Sequence, residues 1–382
     1  MRTFIYSTFS VLICIFNYSV TFSQDITFGR SLEIKSIVLG EARNINVWLP
    51  ESYDSDSDKK YPVLYVFDGH QDFFTSASTV QYFSLRGFMP ETIVVAIDNS
   101  QNRDRDLTPS SSNYAPTGGG ADNFHQFLTT ELIPEIDDSF KTNSYKTILG
   151  ASYGGLYVLY ELFNYKDFFD AYISISPSVF HDNGLIFEKA LAYCDNPASS
   201  NKFLFLSLAD ERFQEMRMVF HNLVNLLRDR SMENLKIVVK DYPNETHETT
   251  RLVGLNDALR NQHQHWFIPF YQRDRGLNGL KEHYDLLNKV YSYDIEIPSD
   301  ALLRAGKSLM RENKLSQAKE CFQYSVKQSP RQPLGYYFLS DICMKQNDQE
   351  SAKVYIDKAI SLINDNKEQY SEFFQLREEI YK

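Results

Sequence analysis

The sequence predicts an α/β protein: a doubly wound, mainly parallel sheet with helices on both faces, followed by an all-α module of paired helices. Three observations predict this. Continuous apolar runs such as Val63–Phe67 and Ile93–Ile97 recur along the chain, and strands of that kind are buried on both faces, as in parallel sheets. These runs alternate with helical patterns as far as about residue 275, which is the order of a doubly wound fold. From residue 300 the strand pattern stops, and small and large residues recur at a 34-residue step, the period of a helix-pair repeat.

Taken in order, "SLEIKSIVLGEARNINVWLP" alternates apolar and polar residues on either side of "GEAR" and reads as an antiparallel hairpin. Pro62 and Asp68-Gly69 bound the run "VLYVF", and "ETIVVAIDNS" repeats that pattern. "KTILG", "AYISISPS", "KFLFLSLAD" and "LKIVVKDYP" supply four further strands, while Phe124–Ile136, Leu156–Phe163 and Phe213–Leu227 carry helical spacing. Between Asn99 and Asp122 the polar stretch "TPSSSNYAPTGGG" is expected to be a long surface loop. Ending one 34-residue unit at Pro330 puts Leu302, Ala305, Gly306, Leu309, Ala318, Phe322 and Ser325 at the packing positions of a tetratricopeptide repeat. One step on, Tyr336, Leu339, Ser340, Cys343, Ala352, Ile356 and Ala359 fill the same places. A last amphipathic helix, Lys367–Tyr381, would cover the second unit. The expected division is 1–23 signal peptide, 24–275 α/β domain, 276–299 linker and 300–382 repeat-like helical domain.

The signal-peptide reading rests on "MRTFIYSTFSVLICIFNYSVTFSQ": Arg2, an apolar stretch from Phe4 to Phe16, then Thr21 and Ser23 before a cut at Gln24. The apolar part is too short for a membrane span. A bulky Ile13 before Cys14 disfavours lipoprotein processing, so an exported, periplasmic or secreted protein is expected. The net charge of −11 disfavours nucleic acid and anionic membranes as partners. Cys194, Cys321 and Cys343 lack metal-ligand spacing and are expected as buried free thiols. The 14% aromatic content is read as core filling. No metal or organic cofactor is implied.

"TILGASYGGLYVLY" carries the chemistry. Gly150-Ala151-Ser152-Tyr153-Gly154 fits G-x-S-x-G where a strand ends and a helix begins. There the backbone turns so sharply that flanking side chains find no room, and the serine hydroxyl is left exposed above the sheet. A serine needs a histidine to take its proton and an acid to orient that histidine, each following a later strand. His247, in "DYPNETHETT", is the one histidine just beyond a late strand of the first domain. Asp210 and Glu211 both follow the preceding strand, and either would serve as the acid. Oxyanion donors are expected from the backbone N–H of Tyr153 and from the turn after "VLYVF", at Gly69 and His70. His125 and His181 are candidates for lining the cleft; His221, His263, His265 and His283 read as structural or solvated.

These segments, with "VVAIDNSQNRDRDLTP", "GGGADNFHQFLTTELIPEI", "SISPSVF" and "LFLSLADERFQEM", follow one another in the order of a known family. The chain resembles the putative esterase family of α/β hydrolases, which includes esterase D, enterochelin esterases, feruloyl and acetyl-xylan esterases and mycolyltransferases. Within it the chain is most similar to the subgroup with C-terminal tetratricopeptide repeats. The resemblance covers residues 31 to 270. It implies Ser152 as nucleophile, His247 as general base and Glu211 as the acid, with Asp210 the alternative. It also implies that Arg103, Arg105 and Asp106 either contact substrate or hold their loop, the second being preferred. The chain departs from the family at Ala209, where glycine is frequent, and at Val179-Phe180-His181, where tryptophan is. The expected function is hydrolysis of a carboxylic ester, from a small molecule, glycan or siderophore, through an acyl-enzyme. A protein or peptide partner is expected at the repeats. The alternatives are acyl transfer by the same residues and an exported interaction platform without catalysis.

Overall fold

The computed structural model describes residues 27–54, 59–230, 232–363 and 370–382. The signal-peptide reading lies outside these residues, as does the start of the expected last helix.

Among the described residues eight strands form one sheet: β1 (Arg30–Ser36), β2 (Glu41–Trp48), β3 (Tyr61–Val66), β4 (Ile93–Ile97), β5 (Thr142–Ala151), β6 (Ala171–Ile175), β7 (Lys202–Ala209) and β8 (Leu235–Tyr242). Their spatial order is β1-β2-β4-β3-β5-β6-β7-β8. The pairs β1–β2 and β2–β4 are antiparallel and all others parallel. The apolar runs of β3, β4, β6 and β7 are buried along their whole length, as both-face burial requires, whereas the edge strand β8 is mostly half-buried. Alternate residues serve opposite faces. Val63, Tyr65 and Phe67 pack against helices 121–139, 153–164, 181–195 and 214–229, while Leu64 and Val66 join the core under helices 69–85, 250–262 and 276–291.

The hairpin turn is fastened by a carboxylate remote in sequence. Glu131 Oε1 accepts the N–H groups of Ile37 and Val38 at 2.8 and 3.0 Å. Glu131 sits in a single π turn, Leu128–Leu132, within the helical stretch predicted at 124–136, a local widening that re-aims side chains. The loop expected at 99–122 differs from its prediction. It contains a short helix, Arg103–Leu107, in which Asp106 and Leu107 are fully buried. Arg43 and Arg105 both reach Asp106, and Arg105 reaches Glu41 at 2.8 Å. Polar composition hid this anchor because one of the two arginines that neutralise the buried charge, Arg43, is 63 residues away.

Beyond the sheet, the joining segment 276–299 holds a helix, Gly276–Tyr291, with Leu280, Tyr284 and Leu287 buried. Past that helix Ile295 and Ile297 are buried without forming a strand. Helices Ser299–Arg311, Leu315–Gln328, Pro333–Lys345 and Gln349–Ser361 pair as two hairpins, and Ser371–Tyr381 packs on the last. The repeat register holds: every predicted packing position except the half-buried Tyr336 is buried. At Gly306 a Cβ would lie 2.5 Å from the Phe322 ring, which is why the first unit carries glycine there. Cys321 and Cys343 are buried free thiols and Cys194 is half-buried. One apolar core runs from Leu64 and Phe205 through Leu280 to Leu302 and Phe322, so the first repeat and the sheet share it.

Candidate active site

The carboxyl ends of β3, β5, β6, β7 and β8 converge on one edge, where ligands bind in open α/β sheets. Ser152 separates β5 from helix Tyr153–Asn164 and has φ 60°, ψ −120°. A non-glycine residue at positive φ is strained and persists only where its surroundings hold it. Here Ser152 N–H donates to Ile175 O at 3.0 Å, and Ser152 O accepts from Ser178 N–H at 3.1 Å. The two motif glycines are there for different reasons. A Cβ on Gly150 would lie 2.4 Å from the carbonyl of Gly154, backbone against backbone, whereas a Cβ on Gly154 would meet nothing nearer than 3.6 Å. Gly155 is the tighter second position, with Ile175 O and Pro177 at 3.1 Å from a Cβ. The space is therefore restricted at 150 and 155 rather than at 150 and 154.

His247 tops the turn between β8 and helix Thr250–Gln262. Thr246 and Thr249 bond each other reciprocally across it, N–H to hydroxyl at 2.9 and 3.2 Å. Asp210 N–H donates to Glu245 O at 2.9 Å, tying this turn to the end of β7. The imidazole Nδ1 lies 2.7 Å from Glu211 Oε1. Glu211 is buried, while Asp210 points to solvent and pairs with Arg217 at 3.1 Å. Geometry thus separates the two carboxylates that the sequence left open. Residues 210–213 and 243–247 line a recess of about 480 Å³.

Ser152 Oγ lies 3.2 Å from Ser178 Oγ. Among the described residues no hydrogen bond joins Ser152 to His247. Ser178 belongs to "SISPS" but carried no signal of its own. Gly69 and His70 open helix Gly69–Leu85, and Tyr153 opens helix Tyr153–Asn164. First-turn N–H groups have no partner within their own helix and carry partial positive charge. Gly69 has a second reason to be glycine: a Cβ would lie 2.8 Å from the Ala96 carbonyl carbon. The His70 ring faces Asp98 at 3.4 Å.

Four of the other histidines are held within the scaffold. His181 is buried and bonds Ser110 O at 2.9 Å, fixing the 99–122 loop to the segment after β6. His125 pairs with the buried Glu161 at 2.9 Å and stacks on Tyr165. His263 and His283 are buried, and His221 and His265 are exposed.

Two features escaped the sequence reading. Tyr114, Phe180 and Phe213, one from each of three loops, meet edge to face with centroids 4.7–6.1 Å apart. Tyr114 is 63% and Phe213 38% exposed. Phe213 lines the recess beside His247, and the Tyr153 hydroxyl donates to Tyr114 O at 3.2 Å. The second feature is a run of alternating charges behind Ser152. Arg103 makes a two-pronged bond to the buried Asp68, at 2.8 and 2.9 Å. Arg251 lies 2.7 Å from Asp72 and 3.9 Å from Asp68. Burial opposes the charge of Arg103, but the bonds to Asp68 outweigh it and raise its pKa. At Asp72 burial prevails over Arg251 and raises the carboxyl above its ordinary range.

Comparison with known proteins agrees with this architecture. The model of the putative esterase family matches residues 36–285, and a tetratricopeptide-repeat model matches residues 335–366. The chain is 27% identical over 245 residues to the ferri-bacillibactin esterase BesA of Bacillus subtilis, covering 58% of this chain and 85% of that one. It is 29% identical over 243 residues to a siderophore enterobactin esterase of Emericella nidulans, covering 52% and 80%. An IroE-like serine hydrolase from Shewanella oneidensis superposes with a TM-score of 0.69 at 25% identity, over 79% of this chain and all of that one. The α/β-hydrolase sheet with its appended repeats, the family match over most of the chain and these relatives lead to one conclusion: the protein belongs to the putative esterase family and is an esterase.

Proposed function

We propose that the protein is an exported serine esterase in which Ser152 is the nucleophile, His247 the general base and Glu211 the acid that orients it. The observation that carries this reading is the 2.7 Å contact between Glu211 and His247 Nδ1, beyond β7 and β8, on the same sheet edge as the strained Ser152. A carboxylate on Nδ1–H leaves Nε2 with its lone pair, the tautomer a base requires. Ser152 Oγ attacks the ester carbonyl as its proton passes to Nε2, and the carbonyl electrons move onto oxygen. The backbone N–H of Tyr153 and those of Gly69 and His70 receive that oxyanion. Collapse expels the alkoxide, which takes the proton from His247. Water, deprotonated by His247, then releases the acid and regenerates Ser152. In the free enzyme Ser152 Oγ rests on Ser178 Oγ; a nucleophile–base bond often tightens only when substrate is bound.

The relatives' names make siderophore esters the first substrates to test, and the aromatic surface at Tyr114, Phe180 and Phe213 offers the non-reacting part of the substrate a place to pack. The core shared between sheet and first repeat supports a bracing role for the helical module, with its outer units left for a peptide or protein partner. Export rests on the sequence of residues 1–23. The test is turnover of cyclic siderophore lactones, feruloyl and acetyl sugars and short p-nitrophenyl esters, products identified by mass. Hydrolysis lost in both Ser152→Ala and His247→Ala supports the reading; hydrolysis retained in either contradicts it.

A further inference from the structure

We propose that Arg103 and Arg251 are positioning residues, a charge clamp that holds the turn carrying Gly69 and His70 against the strand end carrying Ser152 and the helix behind His247. This rests on the serine-esterase reading above.

An oxyanion site assembled from two elements needs something to fix their separation. Strands β3 and β5 are joined as far as the bond from Phe67 N–H to Leu149 O, at 3.0 Å. Past that point, no direct hydrogen bond among the described residues links segment 68–70 to segment 150–153. Arg103 bonds both. Its Nε and one Nη hold the Asp68 carboxylate at 2.8 and 2.9 Å, and the same Nη donates to Ala151 O at 3.3 Å. Its guanidinium also lies 5.4 Å from the centre of the Tyr153 ring. One planar cation thus touches the residue before Gly69, the residue before Ser152 and the residue after it.

Asp68 is built to be held. It is 1% exposed and has φ 54°, its N–H donates to Asn99 Oδ1 at 3.2 Å, and its carbonyl accepts from Gln71 and Asp72. A buried carboxylate in a left-handed turn persists only if paired. Arg251 fastens the other end. It is the second residue of the helix that follows His247 and lies 2.7 Å from Asp72, so Asp68 and Asp72 bracket Gly69 and His70. A fork of N–H donors spans such contacts; the point charge of lysine does not. Oxyanion donors act only when held within about half an ångström of place.

The test compares full-length parent, Arg103→Lys, Arg103→Gly and Arg251→Lys for kcat and KM on a p-nitrophenyl ester, for fluorophosphonate labelling rate and for Tm. Arg103→Lys is expected to lower kcat and labelling by about 10²-fold, the scale of losing one oxyanion donor. KM should stay within about threefold, because the clamp acts on the transition state rather than on binding. Added methylguanidinium should restore part of the kcat of Arg103→Gly. Arg251→Lys should show the same kcat-only pattern, more weakly. A rise in KM at constant kcat would make Arg103 a substrate contact and overturn the clamp. So would a kcat loss no larger than the loss of folded protein, or no rescue by methylguanidinium. A parent that neither turns over ester nor reacts with the probe overturns the esterase reading, and the clamp with it; an active parent with indifferent variants overturns the clamp alone.

Discussion

Acidification from pH 7 to pH 5 is expected to loosen the junction between the sheet and the helix leading to the repeats, through His263. This residue follows helix Thr250–Gln262, is 4% exposed and stacks on Tyr291 with centroids 5.6 Å apart. The Tyr291 hydroxyl donates to Gln262 O at 3.1 Å, so His263 Nδ1, also at 3.1 Å, donates to the tyrosine oxygen. Burial drives the imidazole from 6.5 down to about 3. The folded chain therefore stays unprotonated where the unfolded chain takes up a proton. This stabilisation is complete above pH 6.5 and is lost as pH falls from 6.5 toward about 3. Each pH unit below the unfolded value costs about 1.4 kcal/mol, which amounts to about 2 kcal/mol between pH 7 and 5. His283, bonded to Trp266 O at 3.2 Å, is also lowered by burial and acts in the same direction. Urea unfolding read by the fluorescence of the two buried tryptophans, of which Trp266 lies 6.5 Å ring to ring from His263, should be run at both pH values on parent and His263→Phe. The parent should lose about 2 kcal/mol more than the variant. Equal losses in the two proteins would mean that His263 does not carry the pH dependence.

Four further outcomes follow from the same geometry. Glu211→Gln should lower kcat by about 10³-fold or more, as loss of a triad acid does, whereas Asp210→Asn should stay within about threefold because an exposed ion pair contributes little; steady-state kinetics on both variants checks this. Gly150→Ala forces a Cβ to within 2.4 Å of the Gly154 carbonyl and should abolish labelling of Ser152 while lowering stability by about 2 kcal/mol, read by probe gel and denaturant melt. Phe213→Ala should raise KM for aryl esters more than for acetyl esters, by about tenfold if one ring contact of about 1–1.5 kcal/mol is lost. Gly306→Val, placed against the Phe322 ring, should lower the melting temperature while sparing kcat, since it strains the repeat and not the sheet edge.

The parts of the fold legible in the sequence are those set by local pattern. Strands buried on both faces announce themselves as unbroken apolar runs, and Ile93–Ile97 appears with the predicted bounds. The repeat register was legible because close helix packing imposes small residues at fixed steps, as at Gly306 and Ala352. The G-x-S-x-G turn was legible too, although of its two glycines only Gly150 is tight, the second tight position being Gly155. Contacts made at long range were not legible. Asp68 and Arg103 are 35 residues apart, Asp72 and Arg251 are 179 apart, and no periodicity links them. The choice between Asp210 and Glu211 turns on which side a strand's last residues face, a matter of register at the edge of the sheet. His125, a candidate for the cleft, pairs with a glutamate inside the core. The aromatic surface at the recess needed three separate loops to meet, and composition alone assigned those rings to the interior.

The most direct measurement is the site of covalent attachment of a fluorophosphonate on the intact chain, read by peptide mass spectrometry in parent and His247→Ala. A single adduct on Ser152, formed in the parent and slowed by at least about 10³-fold without the imidazole, is the predicted result. An adduct on another residue, or one on Ser152 that forms equally fast without His247, would contradict the account.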